Sequence, residues 1–301
     1  MIFIAYHPCY ELKLPKGHRF PMDKYPLIRK QLTYEGIFSN ENFFSPNKLD
    51  LKIIQKVHDK NYIQKLLNLS LSKSEIRKIG FPFNNELIKR EITIAGGTVE
   101  CAVKALSNGV SLNIAGGTHH AFSNRAEAFC LLNDQAIAAQ YLINKFKIKK
   151  ILIIDLDVHQ GNGTAEIFKK NKKVFTFSMH GKKNYPFIKA KSDLDIELSD
   201  GTEDKQYLDI LNTELDTIFA RIKPDFVFYL SGVDILKTDK LGRLNITIEG
   251  CKMRDEIVFK KCFENQIPVQ CSMGGGYSAD LKIILNAHSN TFRIASKIFN
   301  Y

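Results

Sequence analysis

No stretch of this sequence approaches the roughly 18 consecutive apolar residues that a membrane-spanning helix needs. The opening residues, Met-Ile-Phe-Ile-Ala-Tyr-His, contain neither a basic region nor a long apolar core, so they lack the pattern of a signal peptide. They are typical of a first β-strand, and we expect a cytoplasmic protein. No internal repeat or low-complexity linker marks a boundary, which favours one domain over residues 1–301.

None of the six cysteines forms a Cys-x-x-Cys pair, which argues against a thiolate zinc site or a disulfide framework. We expect them to be reduced core residues. Aromatic residues are not interleaved with the basic ones, although the net charge is +11 and residues 169–173 are rich in lysine. The charge is therefore better explained by solvated helix ends and loops than by a nucleic-acid partner.

Short apolar runs alternate with helical patterns along the chain. Such alternation is typical of an α/β protein with a central, mostly parallel sheet covered by helices on both faces. The predicted strands are 2–6, 111–115, 151–156, 174–179, 226–231 and 268–272. The predicted helices are 92–107, 133–146, 205–222, 249–264 and 281–299.

The most informative stretch is the run of four aliphatic residues that leads directly into Asp155-Leu-Asp157-Val-His159. The aliphatic run is typical of a strand buried on both faces. The three polar residues follow at period two, so they share one side as the strand ends. Buried carboxylates and an imidazole there need a cation or a hydrogen-bond network, and this motif alone is equally compatible with a metal site and a strand-end turn.

Other predicted strands also end in polar residues. His119 and His120 follow the second strand, Asp234 follows the strand over 226–231, and Tyr277 follows the last strand after three glycines. Because sites in open α/β sheets form beyond the carboxyl ends of strands, these side chains are expected at one edge. Each motif alone is a weak signal, but their joint placement favours a functional site.

These segments resemble the zinc-dependent histone deacetylase family. The similarity extends from His7-Pro and His18-Arg-Phe-Pro-Met through Gly-Gly-Thr-His-His, Asp-Leu-Asp-Val-His, Gly-Val-Asp-Ile-Leu and Gly-Gly-Gly-Tyr. It implies a three-layer fold of the arginase–deacetylase type. Residues 160–163, Gln-Gly-Asn-Gly, and the short chain are most similar to the class IV branch and its bacterial relatives.

The resemblance implies one zinc ion held by Asp157, His159 and Asp234, a set of oxygen and nitrogen ligands that suits catalytic zinc. It also implies a catalytic group in which the histidine pair moves protons, Asp155 and Asn162 lie behind the two histidines, and Tyr277 donates to the oxyanion. These residues are His119, His120, Asp155, Asn162 and Tyr277.

By the same resemblance, Phe129 and Tyr185 are walls of an acyl-lysine tunnel, with Ala128 beside them. The family also binds a monovalent cation, usually potassium. The matching side chain is that of Asp155, and the matching backbone carbonyls are those of Asp157, His159, Ser178 and Met179. A second cation site would map to the backbone of Phe168, Asn171 and Val174.

Four positions depart from the family pattern. Asn162 stands where many members have Asp, and Ala126 and Ala128 replace common glycines, which would strain the chain wherever a positive φ is needed. Lys24 matches the place of a family arginine below the active site.

The resemblance predicts hydrolysis of acyl groups, acetyl or longer, from lysine side chains of proteins or peptides. A deacylase of small acylated amines such as acetylpolyamines is an alternative, and an acidic residue over the entrance would favour it. An arginase-like binuclear manganese enzyme would need further carboxylate ligands, which the sequence does not offer. A non-catalytic acyl-lysine sensor would be expected to have lost Tyr277, His120 or a zinc ligand, and all are present.

Overall fold

The computed structural model describes residues 1–300, and its centre is one sheet of eight parallel strands. Every strand pairing between neighbours is parallel. The strands are β1 (Phe3–Ala5), β2 (Phe43–Phe44), β3 (Val110–Asn113), β4 (Ile151–Asp155), β5 (Val174–Gly181), β6 (Leu194–Leu198), β7 (Phe226–Leu230) and β8 (Val269–Ser272). Their order across the sheet is β2-β1-β3-β8-β7-β4-β5-β6.

Ten α-helices surround the sheet in the described part of the chain. They are α1 (Lys24–Tyr34), α2 (Leu51–Ile54), α3 (Lys60–Leu67), α4 (Lys73–Ile79), α5 (Asn85–Asn108), α6 (Asp134–Lys145), α7 (Asn162–Phe168), α8 (Asp204–Ile222), α9 (Ile248–Glu264) and α10 (Leu281–Ile298). None of these helices combines the length and the apolar composition needed to cross a membrane.

The helices lie on both faces of the sheet. On β7, Tyr229 points to the face where its hydroxyl donates to Asp255 of α9. Gln270 of β8 pairs in register with Phe228, the residue before Tyr229, and so points to the opposite face, where Gln135 of α6 donates to it at 3.4 Å. Helix α5 packs against α6, and α8 and α10 pack against α9. The chain is therefore a single three-layer α/β domain, as the sequence predicts.

The six predicted strands are all present, but two edge strands were not predicted. β2 has only two residues, which is too short for a recognisable period, whereas β6 alternates apolar and polar residues, a strand signal that the prediction missed. The sheet is wholly parallel in the described residues rather than mostly parallel. Helix α5 begins seven residues before its predicted start at 92, because Asn84 caps it by accepting from the N–H of Leu87.

The position of β4 and β7 in the middle of the sheet determines where the site forms. All five residues of each strand are buried, because helices cover both faces. β4 pairs with β7, and β7 pairs with β8, so the loops after these three strands leave the sheet side by side at its carboxyl edge.

Candidate metal centre

Two carboxylates and an imidazole converge at the carboxyl ends of β4 and β7. His159 Nδ1 lies 3.0 Å from Asp157 Oδ1 and 3.2 Å from Asp234 Oδ2. One ligand atom from each residue lies within 4.8 Å of the others, and all three residues are buried. The structure thus brings the predicted metal triad together.

Backbone N–H groups hold the two carboxylates in place. Val158 N donates to Asp234 Oδ1 at 2.9 Å, and Gly275 N donates to Asp157 Oδ2 at 2.8 Å. A Cβ atom at residue 275 would lie 2.8 Å from Asp157 Oδ2 and closer still to Asp234. Glycine is therefore required there, because the loop after β8 passes directly over the triad.

The charges of the triad call for a cation. Burial, and then the charge of Asp157, raises the pKa of Asp234 to about 7. Burial disfavours a charged imidazole, yet hydrogen bonds and attraction from Asp157 and Asp234 raise the pKa of His159 to about 10. A donor set of two carboxylate oxygens and one imidazole nitrogen fits a divalent ion such as zinc, which would supply this positive charge.

His119 and His120 follow β3 with their ring centroids 4.1 Å apart, and different partners hold them. His119 Nδ1 lies 2.6 Å from Asp155 Oδ2, and His120 Nδ1 lies 2.7 Å from Asn162 Oδ1. Gly163 N also donates to Asn162 Oδ1 at 3.0 Å, so this oxygen faces His120 and accepts its Nδ1 proton.

The different partners separate the charges of the two histidines. Although burial opposes it, attraction from Asp155 and Asp157 raises the pKa of His119 above its usual value. Burial, and then the charges of His119 and His159, hold the pKa of His120 well below its usual value. A neighbouring pair with unlike protonation states can both accept and donate a proton.

Tyr277 lies on the loop after β8, and its ring lines the same cavity as the histidine pair. Asp239 fixes the loop, because its Oδ2 atom accepts from Tyr277 N at 2.6 Å. The Tyr277 ring packs against Phe20 and Phe129, with centroids 5.9 and 6.2 Å away. Burial raises the pKa of the phenol well above its usual value, so the hydroxyl keeps its proton and can donate it in a hydrogen bond.

The cavity above the triad has a volume of about 810 Å³, and Phe129 and Tyr185 both line it. Tyr185 Oη donates to Glu127 Oε2 at 2.6 Å, and its ring centroid lies 5.0 Å from that of His120. Ala128 and Phe129 adopt positive φ angles of 45° and 67°. Their N–H groups donate to the carbonyls of Lys78 and Ile79, which holds this unusual backbone in place.

Ala126 and Ala128, which replace glycines common in the family, differ in backbone conformation. Ala128 occupies a conformation that favours glycine, whereas Ala126 is not among the described residues with positive φ. The strain anticipated from the sequence is therefore limited to residue 128.

The residues matched to cation sites lie near one another. Asp155 of β4 pairs in register with Ser178 of β5, and Met179 follows it. Asp155 Oδ1 also accepts from Asp157 N at 3.2 Å. Of the second set, Asn171 N donates to the carbonyl of Phe168 at 2.8 Å, and Val174 N donates to that of Asn171 at 3.3 Å.

Three further residues support the site. Lys24 is fully buried, its Nζ atom donates to the carbonyl of Gly274 at 3.2 Å, and burial lowers its pKa to about 8. Glu127 accepts a hydrogen bond from the hydroxyl of Tyr185, and Asp239 accepts one from the backbone N–H of Tyr277. Only Lys24 was noted from the sequence. A signal for Asp239 exists in the Asp-Lys-Leu-Gly turn, where Asp accepts from the N–H groups of residues 241 and 242.

Comparison with known proteins agrees with this geometry. The family model described as a histone deacetylase domain matches residues 18–291. An uncharacterized protein of Picosynechococcus sp. is 40% identical over 98% of this chain and 99% of its own length. Histone deacetylase 2 of Arabidopsis thaliana is 30% identical over 97% of this chain and 79% of its own length.

A solved structure has the same fold. The crystal structure of an HDAC homologue complexed with SAHA superimposes with a TM-score of 0.83 at 24% identity, covering 99% of this chain and 83% of that one. The family match covers most of the sequence, and the triad, the histidine pair and the tyrosine lie together at one edge of the shared fold. The chain belongs to the histone deacetylase family, whose members are metal-dependent hydrolases of amides.

Proposed function

We propose that residues 1–301 form a catalytic domain that removes acyl groups from lysine side chains. One observation carries this proposal: two residues of the buried triad, Asp157 and His159, line one aromatic-walled cavity together with the histidine pair and a phenol. Aromatic walls can grip the aliphatic stem of a lysine, while its acylated end reaches the polar groups at the bottom.

The proposed metal is zinc, held by Asp157, His159 and Asp234. When bound, zinc would supply Lewis-acid polarisation of the acyl carbonyl and would make the attacking water easier to deprotonate. Two anionic ligands reduce the net charge of the centre, so the protein groups around it have to assist.

His119 and His120 are the proposed proton carriers. Their Nδ1 atoms are engaged by Asp155 and Asn162, which leaves the Nε2 atoms for the reacting groups. Neutral His120 has a lone pair on Nε2 and can take a proton from water. Protonated His119, stabilised by Asp155, can donate a proton to the departing amine nitrogen.

Tyr277 is the proposed oxyanion donor. Its protonated phenol lines the cavity with the histidine pair, so it can donate to the acyl oxygen as negative charge develops. Phe129 and Tyr185 are the proposed tunnel walls, with Ala128 shaping the backbone between them. The hydrogen bond from Tyr185 to Glu127 limits the positions available to that ring.

We also propose a potassium ion near Asp155, at the backbone of Asp157, His159, Ser178 and Met179. The support is the register that places Ser178 beside Asp155. Membership of class IV is proposed on the basis of residues 160–163, and the cytoplasmic location stays a prediction.

Small acylated amines are the less favoured substrates. Glu127 is an acidic residue at the cavity, but its carboxylate is already bound by Tyr185 at 2.6 Å and by Arg125 Nε at 2.9 Å. A carboxylate with two such partners is a poor ligand for a further ammonium group.

The deciding experiment uses zinc-loaded protein on a panel of acyl-lysine peptides, from acetyl to myristoyl, and acylpolyamines. We expect hydrolysis of acyl-lysine, its loss on chelation and its return when zinc is added back. Absence of hydrolysis across the peptide panel by protein with full zinc content would contradict the proposal. Hydrolysis of acylpolyamines alone would replace lysine with small amines as the substrate class.

A further inference from the structure

The mouth of the cavity is lined by five exposed cations. They come from four separate segments: the stretch before α1, the last turn of α4, the loop after β5 and the loop after β7. These residues, here called the mouth cations, are Arg19, Lys78, Lys183, Lys240 and Arg243. A substrate that enters the cavity has to pass between them.

Few acidic groups offset the mouth cations. Apart from Asp157 of the triad, Glu127 is the only acidic residue among the described lining residues, and it is bound by Arg125 and Tyr185. Asp200 lies 3.6 Å from Lys183 and 3.3 Å from Arg243, so one carboxylate serves two cations. The mouth therefore has an excess of positive charge.

An apolar pair stands beside these cations. Phe187, which also lines the cavity, is 85% exposed, and Ile188 is 90% exposed. Their loop is held in shape, because Lys189 Nζ donates to the carbonyls of residues 182, 184 and 186 at 3.0, 2.7 and 2.7 Å. Large apolar side chains held outward at a cavity mouth are typical of a contact surface.

We propose that the mouth selects an acyl-lysine within an acidic protein segment that also carries an apolar residue, and that it disfavours acylpolyamines. This inference rests on the proposed deacylase function. An acylated lysine is neutral, so the residues flanking it determine the charge that meets the mouth. Acidic flanks would be attracted, whereas the remaining ammonium groups of a polyamine would be repelled.

A nucleic acid is the other polyanion that such a surface could meet. Single strands bind where several aromatic rings offer stacking platforms along a basic groove. At this mouth the cations surround an opening, and Phe187 is the only exposed aromatic residue among the described lining residues. The geometry therefore favours an acidic protein segment.

The test compares kcat/KM for acyl-lysine peptides of equal length whose flanking residues are Asp and Glu, Gln, or Lys. We expect the acidic peptide to exceed the lysine-flanked one by about tenfold at low ionic strength, because steering changes association rates on that scale. The difference should shrink as salt is added. Turnover of the Gln-flanked peptide tests the deacylase function itself, independently of this preference.

A pair of matched variants locates the effect. Lys78→Glu combined with Lys240→Glu reverses two mouth cations, and we expect it to abolish or invert the preference for acidic flanks. Lys149→Glu combined with Lys150→Glu makes the same charge change just before β4, at the opposite edge of the sheet, and should keep the preference. Normal zinc content and melting temperature would show that both variants fold.

Three results would overturn the inference. The first is equal turnover of the acidic and lysine-flanked peptides by the unaltered protein. The second is an unchanged preference in the Lys78→Glu, Lys240→Glu variant. The third is inhibition by a short oligonucleotide that is stronger than inhibition by poly-glutamate of equal charge, which would assign the mouth to nucleic acid.

Discussion

At the deep end of the cavity, the catalytic candidates are held by strand ends and by buried partners, whereas the cations at its mouth stand on loops and a helix end. Asp157 and Asp234 accept hydrogen bonds from backbone N–H groups that the sheet positions. Lys78 and Lys240, by contrast, are exposed. The rigid part can carry chemistry, which needs fixed distances, and the exposed part can carry selectivity, which depends on charge.

The largest expected effect is the loss of a metal ligand at the deep end of the cavity. Asp234→Ala removes one of the three proposed zinc ligands and leaves only Asp157 and His159. We expect near-complete loss of zinc, and a loss of activity greater than the roughly 100-fold that follows removal of a residue behind a metal ligand. Metal analysis by mass spectrometry and turnover of an acetyl-lysine peptide measure both effects.

The control for this prediction is Asp209→Ala, an exposed carboxylate on α8 whose side chain is 64% accessible. It should retain zinc and activity. Full zinc occupancy with ordinary turnover in Asp234→Ala would remove Asp234 from the proposed ligand set.

A smaller effect is expected at the phenol. Tyr277→Phe should keep the fold and the zinc, because the ring contacts with Phe20 and Phe129 remain. We expect kcat to fall by about 100-fold or more, the usual scale for one lost oxyanion donor. KM should change less, since the hydroxyl acts mainly on charge that develops in the transition state.

Tyr34→Phe is the matched control, because Tyr34 is 89% exposed on α1. It should behave as the unaltered protein does. If Tyr277→Phe also turns over normally, the role of Tyr277 is to pack the cavity wall.

Acyl length tests the apolar part of the deep cavity, whose lining includes Phe20, Phe81 and Ile94. We predict that long acyl chains are hydrolysed better than acetyl. Each methylene buried there adds about 0.8 kcal/mol, or about fourfold in kcat/KM. The measurement is kcat/KM across acetyl, octanoyl and myristoyl peptides of one sequence. A steady fall from acetyl to myristoyl would show that the chain finds no apolar space.

The smallest change concerns pH. Burial, and then the charges of His119 and His159, hold the pKa of His120 well below its usual value, and Asn162 adds no charge to oppose this. Asn162→Asp would place a carboxylate behind His120, which stabilises the imidazolium and raises its pKa. Because the neutral ring has to take the proton, activity is lost as pH falls through this pKa. The acidic limb of the pH–rate profile should therefore move upward.

This shift is measured by comparing full pH–rate profiles on one peptide. Asn68→Asp changes an exposed asparagine in the same way and should leave the profile unaltered. Superimposable limbs for Asn162→Asp and the unaltered protein, or a downward shift, would show that residue 162 does not control His120.

The sequence alone determined the central strands and the side chains at their ends. Buried aliphatic runs are local signals, and polar residues at period two after such a run share one side of the chain. Asp157, His159, His119, His120 and Tyr277 could thus be named without coordinates. The family motifs extended this set to Asn162, which the structure places 2.7 Å from His120.

Only the tertiary structure decided which strand ends meet and which loops surround them. Strand order depends on pairings between distant segments, so the contact between β4 and β7 that joins Asp234 to Asp157 has no local signature. The turn that contains Asp239 has a local signature, but its contact with Tyr277 N on a distant loop has none. The mouth cations come from four separate segments, and in the sequence they are indistinguishable from other surface lysines and arginines. Their positive charge is concentrated at the cavity mouth only because folding places them around one opening.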